Sequence, residues 1–365
     1  MSAAATAVFL AVVGARFVIP LFIPRYPLPA ILAALILDGV DQTIFQAFGY
    51  DPPGYQNYDK AMDVYYLAIA YLATLRNWAS MPAVEIARFL YFYRLAGVVL
   101  FEFTDWRAIL LIFPNTFEYF FIAYEIVRLR WNPSRYGLRW WLLVAAGIWI
   151  FIKLPQEWWI HIAQLDVTDT VAAYPVAAAL VAVVAVALAV AVWVWARPRL
   201  PGPDWAWRVH ADPLPSAVAT TSSFVTWVVA HRRVFSAATL EKIVLVGLLS
   251  VIFGELLPDL RSTGLELFLG IAAFVVVNAA VTLWIARGPI KPVTMAGAFG
   301  ARVLLNVALV FVGAWLLGRG DLNLGATLFF VLLLSLLTLL DDRYRPAYEC
   351  RKFRNFDVVI SGTSR

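Results

Sequence analysis

Residues 35–46 read LILDGVDQTIFQ, with Asp38, Asp41 and Gln42 set close together inside an otherwise apolar run. Asp38, Asp41, Gln42 and Phe45 follow the 3, 4, 7 recurrence of a single helix face. A carboxylate at the centre of a membrane helix costs about 2.5–3.5 kcal/mol, whereas each Leu, Ile or Phe contributes only about 0.3–0.6 kcal/mol. Two aspartates therefore nearly cancel the apolar gain of their own helix. They must face a protein interior that supplies partners or water, and that requires several helices packed together.

Composition agrees with a bilayer as solvent. The chain is 62% hydrophobic and 15% charged, and its mean hydropathy is +0.77. Soluble domains carry about 25% charged residues, and a water-soluble core this apolar would have too little polar surface to cover it. The net charge is +5. Its basic residues gather in a few short connections, a pattern of membrane orientation and not of a phosphate-binding face, so no nucleic acid is expected. Cys350 is the single cysteine, which excludes an internal disulfide and a Cys-based metal centre. His161, His210 and His231 are far apart, and neither a two-His helical zinc motif nor a Gly-rich phosphate loop is present. No cofactor is expected. The opening MSAAATAVFL lacks a basic n-region and reads as the start of a retained helix. The Arg bias over Lys fits a GC-rich bacterial genome, and hence a multi-pass protein of the bacterial plasma membrane.

A spanning helix needs about 20 mostly apolar residues. Eleven stretches qualify, at 4–24, 28–48, 61–77, 83–103, 107–127, 138–155, 172–196, 241–258, 264–286, 293–317 and 322–340. The expectation is an all-α polytopic transmembrane helix bundle. The connection RLRWNPSRYGLR, the stretch 197–242, RGPIK and the tail after Asp341 are basic. The connections holding Asp51 and Asp59, and then Glu157, Asp166 and Asp169, are acidic. Their alternation places the N-terminus outside and the C-terminus in the cytoplasm.

The two halves differ in character. Twelve of the fifteen Tyr precede residue 140, as do most intramembrane charges, whereas residues 172–196 are a plain Ala/Val run. The chain divides into a polar-lined part (1–171), an aliphatic part (172–340) with a cytoplasmic loop at 197–240, and a basic tail (341–365). Within the loop, SFVTWVVAHRR reads either as an interfacial helix, with Trp227 at the headgroups and Arg232 and Arg233 in water, or as an ordered loop.

At about 1.5 Å per residue, the intramembrane charges fall into three tiers. Asp38, Arg94 and Glu118 come out near the midplane, with Arg302 in the same tier slightly nearer the cytoplasm and with Asn115 and Glu118 on one stripe of FPNTFEYFFIAYE. Arg76, Glu85, Arg88 and Glu125 lie towards the cytoplasm. Asp41, Asp63, Glu102, Lys153 and Glu157 lie towards the outside, with acids in excess. Balanced pairs are also how a bundle neutralises its own buried charges. An excess of carboxylate can attract a cation, hold a divalent ion or simply face water. Glu157 and His161, four apart in KLPQEWWIHIAQ, share a helix face and suit either acid–base work or an ordinary surface contact. Asp38-Gly39 and Pro114-Asn115 are plausible helix breaks.

Three functions follow from these patterns. The first is transport or binding of an ion, proton or small solute at Asp38, Asp41, Arg94, Asn115, Glu118 and Arg302, with Asp63, Glu157 and His161 as an outer site. The second rests on YDPPGYQNYDKAMDVYYLAIAYL (50–72), which resembles the first outer loop of polyprenyl-phosphate-dependent membrane glycosyltransferases. The resemblance implies an Asp acting on an acceptor hydroxyl of a lipid-linked substrate, at Asp51, Asp59 or Asp63. The outer loops here are shorter than in that family, and the N-terminus is expected on the opposite side. The third is a non-catalytic assembly or accessory subunit. An enzyme is the less favoured of these readings.

Overall fold

The computed structural model describes residues 3–49, 55–165, 170–171, 173–256, 264–287, 295–316 and 324–362, and no strand occurs among them. The main helices are α1 (Ala3–Val18), α2 (Pro27–Ala47), α3 (Tyr55–Asn77), α4 (Met81–Thr104), α5 (Ala108–Ile112), α6 (Thr116–Arg128), α7 (Leu138–Ile162) and α8 (Pro175–Ala196). They continue with α9 (Thr221–His231), α10 (Ala237–Leu256), α11 (Gly264–Arg287), α12 (Met295–Leu316) and α13 (Leu324–Gly362). The protein is an all-α integral membrane bundle. Seven described segments are long and apolar enough to cross a membrane: 3–22, 27–47, 108–128, 138–162, 175–199, 237–254 and 265–284. The expected spans at 61–77 and 83–103, in α3 and α4, are not among these seven. Asp59, Lys60, Asp63 and Arg76 interrupt α3, and Glu85, Arg88, Arg94 and Glu102 interrupt α4.

That charge is tolerated because of position. From Val64 to Leu75 every residue of α3 is buried, so the helix is covered on all sides by protein. A helix enclosed in this way needs partners for its polar groups, not an apolar surface. It runs down the middle of one continuous core, with α4, α6 and α13 packed around it. Aromatic rings fill the gaps. Trp78 stacks on Tyr124 at 3.8 Å, Tyr124 on Trp141 at 5.2 Å, and Tyr71 on Tyr91 at 4.6 Å. At the opposite extreme, α8 buries none of its residues, and its Val and Leu side chains all face outward.

The end of the bundle that carries the basic connections is held by buried ions. Asp342 on α13 accepts from Arg232 and Lys242 and forms an ion pair with Arg302 at 2.6 Å. Arg345, one turn on, reaches Asp341 at 2.6 Å and Glu241 at 3.1 Å. Two basic connections also dock on each other. Asp204 N donates to Arg130 O at 2.9 Å, and Arg208 N to Leu129 O at 3.0 Å. Within the loop at 197–240, most of SFVTWVVAHRR forms a helix, α9. Trp227 is buried with Val218, Leu283 and Ala347, and Arg232 is drawn to Asp342, while Arg233 stays exposed.

Close helix contacts need glycine. A Cβ on Gly247 would come within 2.6 Å of the Phe268 ring, and one on Gly97 within 2.2 Å of Phe113 Cβ. Gly97 lets α4 lie against the chain between α5 and α6, as small residues do at membrane helix interfaces. Gly97→Ala is therefore expected to cost about 1–3 kcal/mol through overpacking. The check is a lowered melting temperature of the purified protein in detergent, with Gly147→Ala unchanged, since nothing lies within 4 Å of a Cβ there.

Candidate functional site

The span at 108–128 is not one helix. Pro114 has no amide hydrogen and disfavours helical geometry in Phe113 before it, so α5 stops at Ile112 and α6 restarts at Thr116. The break frees backbone groups that lipid cannot satisfy. Side chains satisfy them instead. Tyr93 Oη donates to Ile112 O at 3.1 Å, and Arg94 Nη1 donates to Phe113 O at 3.0 Å. Asn115 N donates to Glu157 Oε1 at 3.0 Å. Of the two expected breaks, this one occurs. The other does not, because α2 runs unbroken through Asp38 and Gly39.

Glu157 reaches the break from α7, whose second half is irregular. Two π-helical turns, Trp149–Lys153 and Trp158–Ile162, flank a short α segment containing Pro155. The wider turns accommodate the proline, and such turns often occur at functional sites. They bring Lys153, Glu157 and His161 to one side. Lys153 Nζ lies 3.8 Å from Glu157, and His161 Nε2 lies 3.0 Å from its other oxygen. Lys153 also sits over the Tyr119 ring at 4.5 Å. Glu118, in the first turn of α6, accepts from the Tyr66 hydroxyl and, at 3.1 Å, from Asn115 Nδ2.

Facing this wall is an acidic one. Arg16 of α1 is 5% exposed and donates to four carboxylates. These are Asp38 and Asp41 of α2 and Asp59 and Asp63 of α3, with Asp59 at 2.8 Å and Asp63 at 3.3 Å. Asp41 is fully buried, whereas the Asp59 and Asp63 side chains are about one-third exposed, at 35% and 33%. One guanidinium cannot balance four carboxylates. Oxygens of Asp38, Asp59 and Asp63 lie within 4.8 Å of one another, a spacing that suits a hard cation between them.

Between the two walls lies a cavity of about 560 Å³. Six carboxylates, four Lys or Arg and His161 line it. Its depth follows from helix geometry. On α3 the lining runs from Asp59 through Asp63 to Tyr66, and on the antiparallel α4 from Glu102 through Arg94 to Tyr91. Asp59, Lys60, Glu102 and Arg107 thus form the rim, and Tyr66, Tyr91 and Glu118 the floor, roughly 10 Å deeper at 1.5 Å per residue.

Most of the residues singled out from sequence meet here. Asp38, Asp63, Arg94, Asn115, Glu118, Glu157 and His161 all line this cavity, so the middle and outer tiers form a single site. Asp41 stands behind the acidic wall on Arg16. Arg302 belongs elsewhere. It pairs with Asp342 at 2.6 Å and donates to Thr282, because α12 packs on α13 and α11 and not on α2 or α6. Asp38, Arg94 and Glu118 share the cavity without pairing directly. Each is held by another group: Arg16, the Phe113 carbonyl, and Tyr66 with Asn115, respectively. Asp51, Asp166 and Asp169 lie outside the described residues. Arg16 escaped selection because, in sequence, it registers only as a charge that weakens the first span. No family model, curated protein or solved structure matches the chain.

Removing one partner of a buried ion group costs about 3–5 kcal/mol, because the other charges stay behind. Arg16→Leu is expected to lower stability by that order. Adding Asp41→Leu should recover part of the loss, since Asp41 is the fully buried acid of the group. Thermal unfolding of the wild type, both single variants and the double variant gives the coupling directly.

Proposed function

We propose that this integral membrane protein binds and moves a cation, a proton or a small polar solute through the cavity between α2, α3, α4 and α7. The observation that carries this reading is the broken span. A membrane helix interrupted at Pro114, with the first turn of α6 and its Glu118 at the floor of an acid-rich cavity, is the architecture of solute sites in many secondary transporters. Ionisable groups kept inside a bundle around an accessible cavity are otherwise costly and are characteristic of ion and substrate paths.

In this reading the chain crosses the membrane about eleven times, with α3, α4, α12 and α13 adding to the seven more apolar segments. The basic connections and the Asp342 network mark the cytoplasmic end. The cavity rim, at the opposite end of α3, faces outward. Glu118 and the acidic wall bind the cation or carry the proton, and Arg94 and Lys153 set the field around Glu118. A bacterial plasma membrane is the proposed location.

A second reading has one specific support. Asp59 and Asp63, within the stretch that resembles the first outer loop of polyprenyl-phosphate-dependent glycosyltransferases, both line the cavity. It requires turnover of a polyprenyl-phosphate sugar by the purified protein.

The transport reading is tested in proteoliposomes carrying a pH-sensitive dye and challenged with cation gradients. Wild-type protein should give a flux that Glu118→Gln abolishes. The variant's melting temperature should stay close to wild type, because Gln keeps the acceptor for Tyr66 and the Asn115 amide can turn its Oδ1 to the new Nε2 donor. Loss of stability in the variant, with no flux from wild type, would identify the Glu118 contacts as structural.

A further inference from the structure

We infer that the cavity takes an organic amine that also carries a hydroxyl or amide group. Its ammonium would lie against Asp38, Asp59 and Asp63, and its second polar group would reach the floor at Tyr91 and Asn115. The inference rests on the solute-binding reading above and names the class of solute.

Charge sets the first requirement. The acidic wall places four carboxylates around a single guanidinium, Arg16. The remaining negative charge is drawn to a cation. Arg16 already holds this position as a tethered cation whose N–H groups point at the same oxygens that an ammonium would use. Asp59 and Asp63, at the rim side and one-third exposed, are the carboxylates that an incoming amine meets first.

Two unpartnered groups set the second requirement. Asn115 is 7% exposed and Tyr91 is 3% exposed, and both line the cavity. Asn115 Oδ1 and the Tyr91 hydroxyl have no hydrogen-bond partner among the described residues. Each buried polar group left unpaired costs about 1–3 kcal/mol. Their chemistry is complementary, since Asn115 Oδ1 accepts and the Tyr91 hydroxyl can donate. A hydroxyl or amide on the solute offers a donor to the first and an acceptor to the second. The Asn115 amide is already fixed, because its Nδ2 donates to Glu118 Oε2 and its backbone N–H to Glu157. Its carbonyl oxygen is therefore left without a partner among the described residues.

Size sets the third. A cavity of about 560 Å³ falls in the range of about 300–1,000 Å³ typical for organic ligands. A bare metal ion could sit among Asp38, Asp59 and Asp63 but would leave the floor groups unpaired. Tyr66, Tyr91 and Tyr119, which also line the cavity, suit the carbon skeleton of an amine.

The test compares matched probes on the purified full chain in detergent, at pH 7, where the amines are largely charged. Glucosamine is set against glucose, ethanolamine against ethylene glycol, and calcium chloride serves as the metal probe. Binding is read by calorimetry and by thermal shift. At least one amine should bind at least tenfold more tightly than its neutral counterpart. That preference should vanish in the Asp59→Asn/Asp63→Asn double variant, whose partly exposed sites tolerate substitution. Asn115→Ala should weaken amine binding several-fold. Equal binding of amines and neutral counterparts, binding of calcium alone, or no binding by any probe would each overturn the inference. Amine binding without flux in proteoliposomes keeps this site and removes the transport reading. Flux of an inorganic cation without amine binding does the reverse.

Discussion

The structure depends on one guanidinium. Arg16 projects from α1 into a nest of four carboxylates supplied by α2 and α3, and it is the tie that brings these three helices to a common depth. Without it, Asp41 would be a fully buried anion with its charge uncompensated by this group, and the acidic wall would repel itself apart. With it, the wall is stable but still rich in negative charge. The same contacts that hold α1 to the bundle therefore create the field inside the cavity. Structure and chemistry share one set of side chains here, which is why the question of functional versus structural pairing has no separate answer for each residue.

The opposite wall shows the same economy. Breaking a membrane helix at Pro114 releases backbone groups that need partners, and Tyr93, Arg94 and Glu157 provide them. Arg94 and Glu157 thus repair the backbone and also line the cavity. Glu118 is fixed at the restart of α6 by Tyr66 and Asn115. The far end of the bundle has its own balanced group around Asp341, Asp342 and Arg345, which packs α13 against α10 and α12. That group pairs most of its charge locally. The cavity wall does not, and this difference marks the cavity as the place where a ligand has most to gain.

The helical, membrane-embedded character of the chain was legible from composition, and the polar lining from the 3, 4, 7 spacing around Asp38. Spacing along a helix reports which side chains share a face, and depth estimates report which lie at similar heights. Neither reports which helices are neighbours. Arg302 illustrates the limit. Its estimated height is close to that of Asp38, but α12 packs on α11 and α13, so it serves Asp342. Arg16 illustrates the converse. A lone arginine in an apolar first helix looks like a defect of the span until the carboxylates of α2 and α3 are seen around it. The break at Pro114 was legible because proline acts locally. The π turns around Lys153 and His161 were not, because they answer to packing around Pro155.

The proposed function requires that the first half of α3 line a cavity reached from outside the cell, while its second half is sealed in protein. Single cysteines placed by Asp59→Cys, Asp63→Cys and Thr74→Cys in a Cys350→Ser background test it with a membrane-impermeant methanethiosulfonate applied to intact cells. Thr74 is fully buried on the same helix. The account predicts rapid modification at positions 59 and 63 and none at 74. Protection of both 59 and 63, modification only after permeabilisation, or equal reaction at 74 would contradict it.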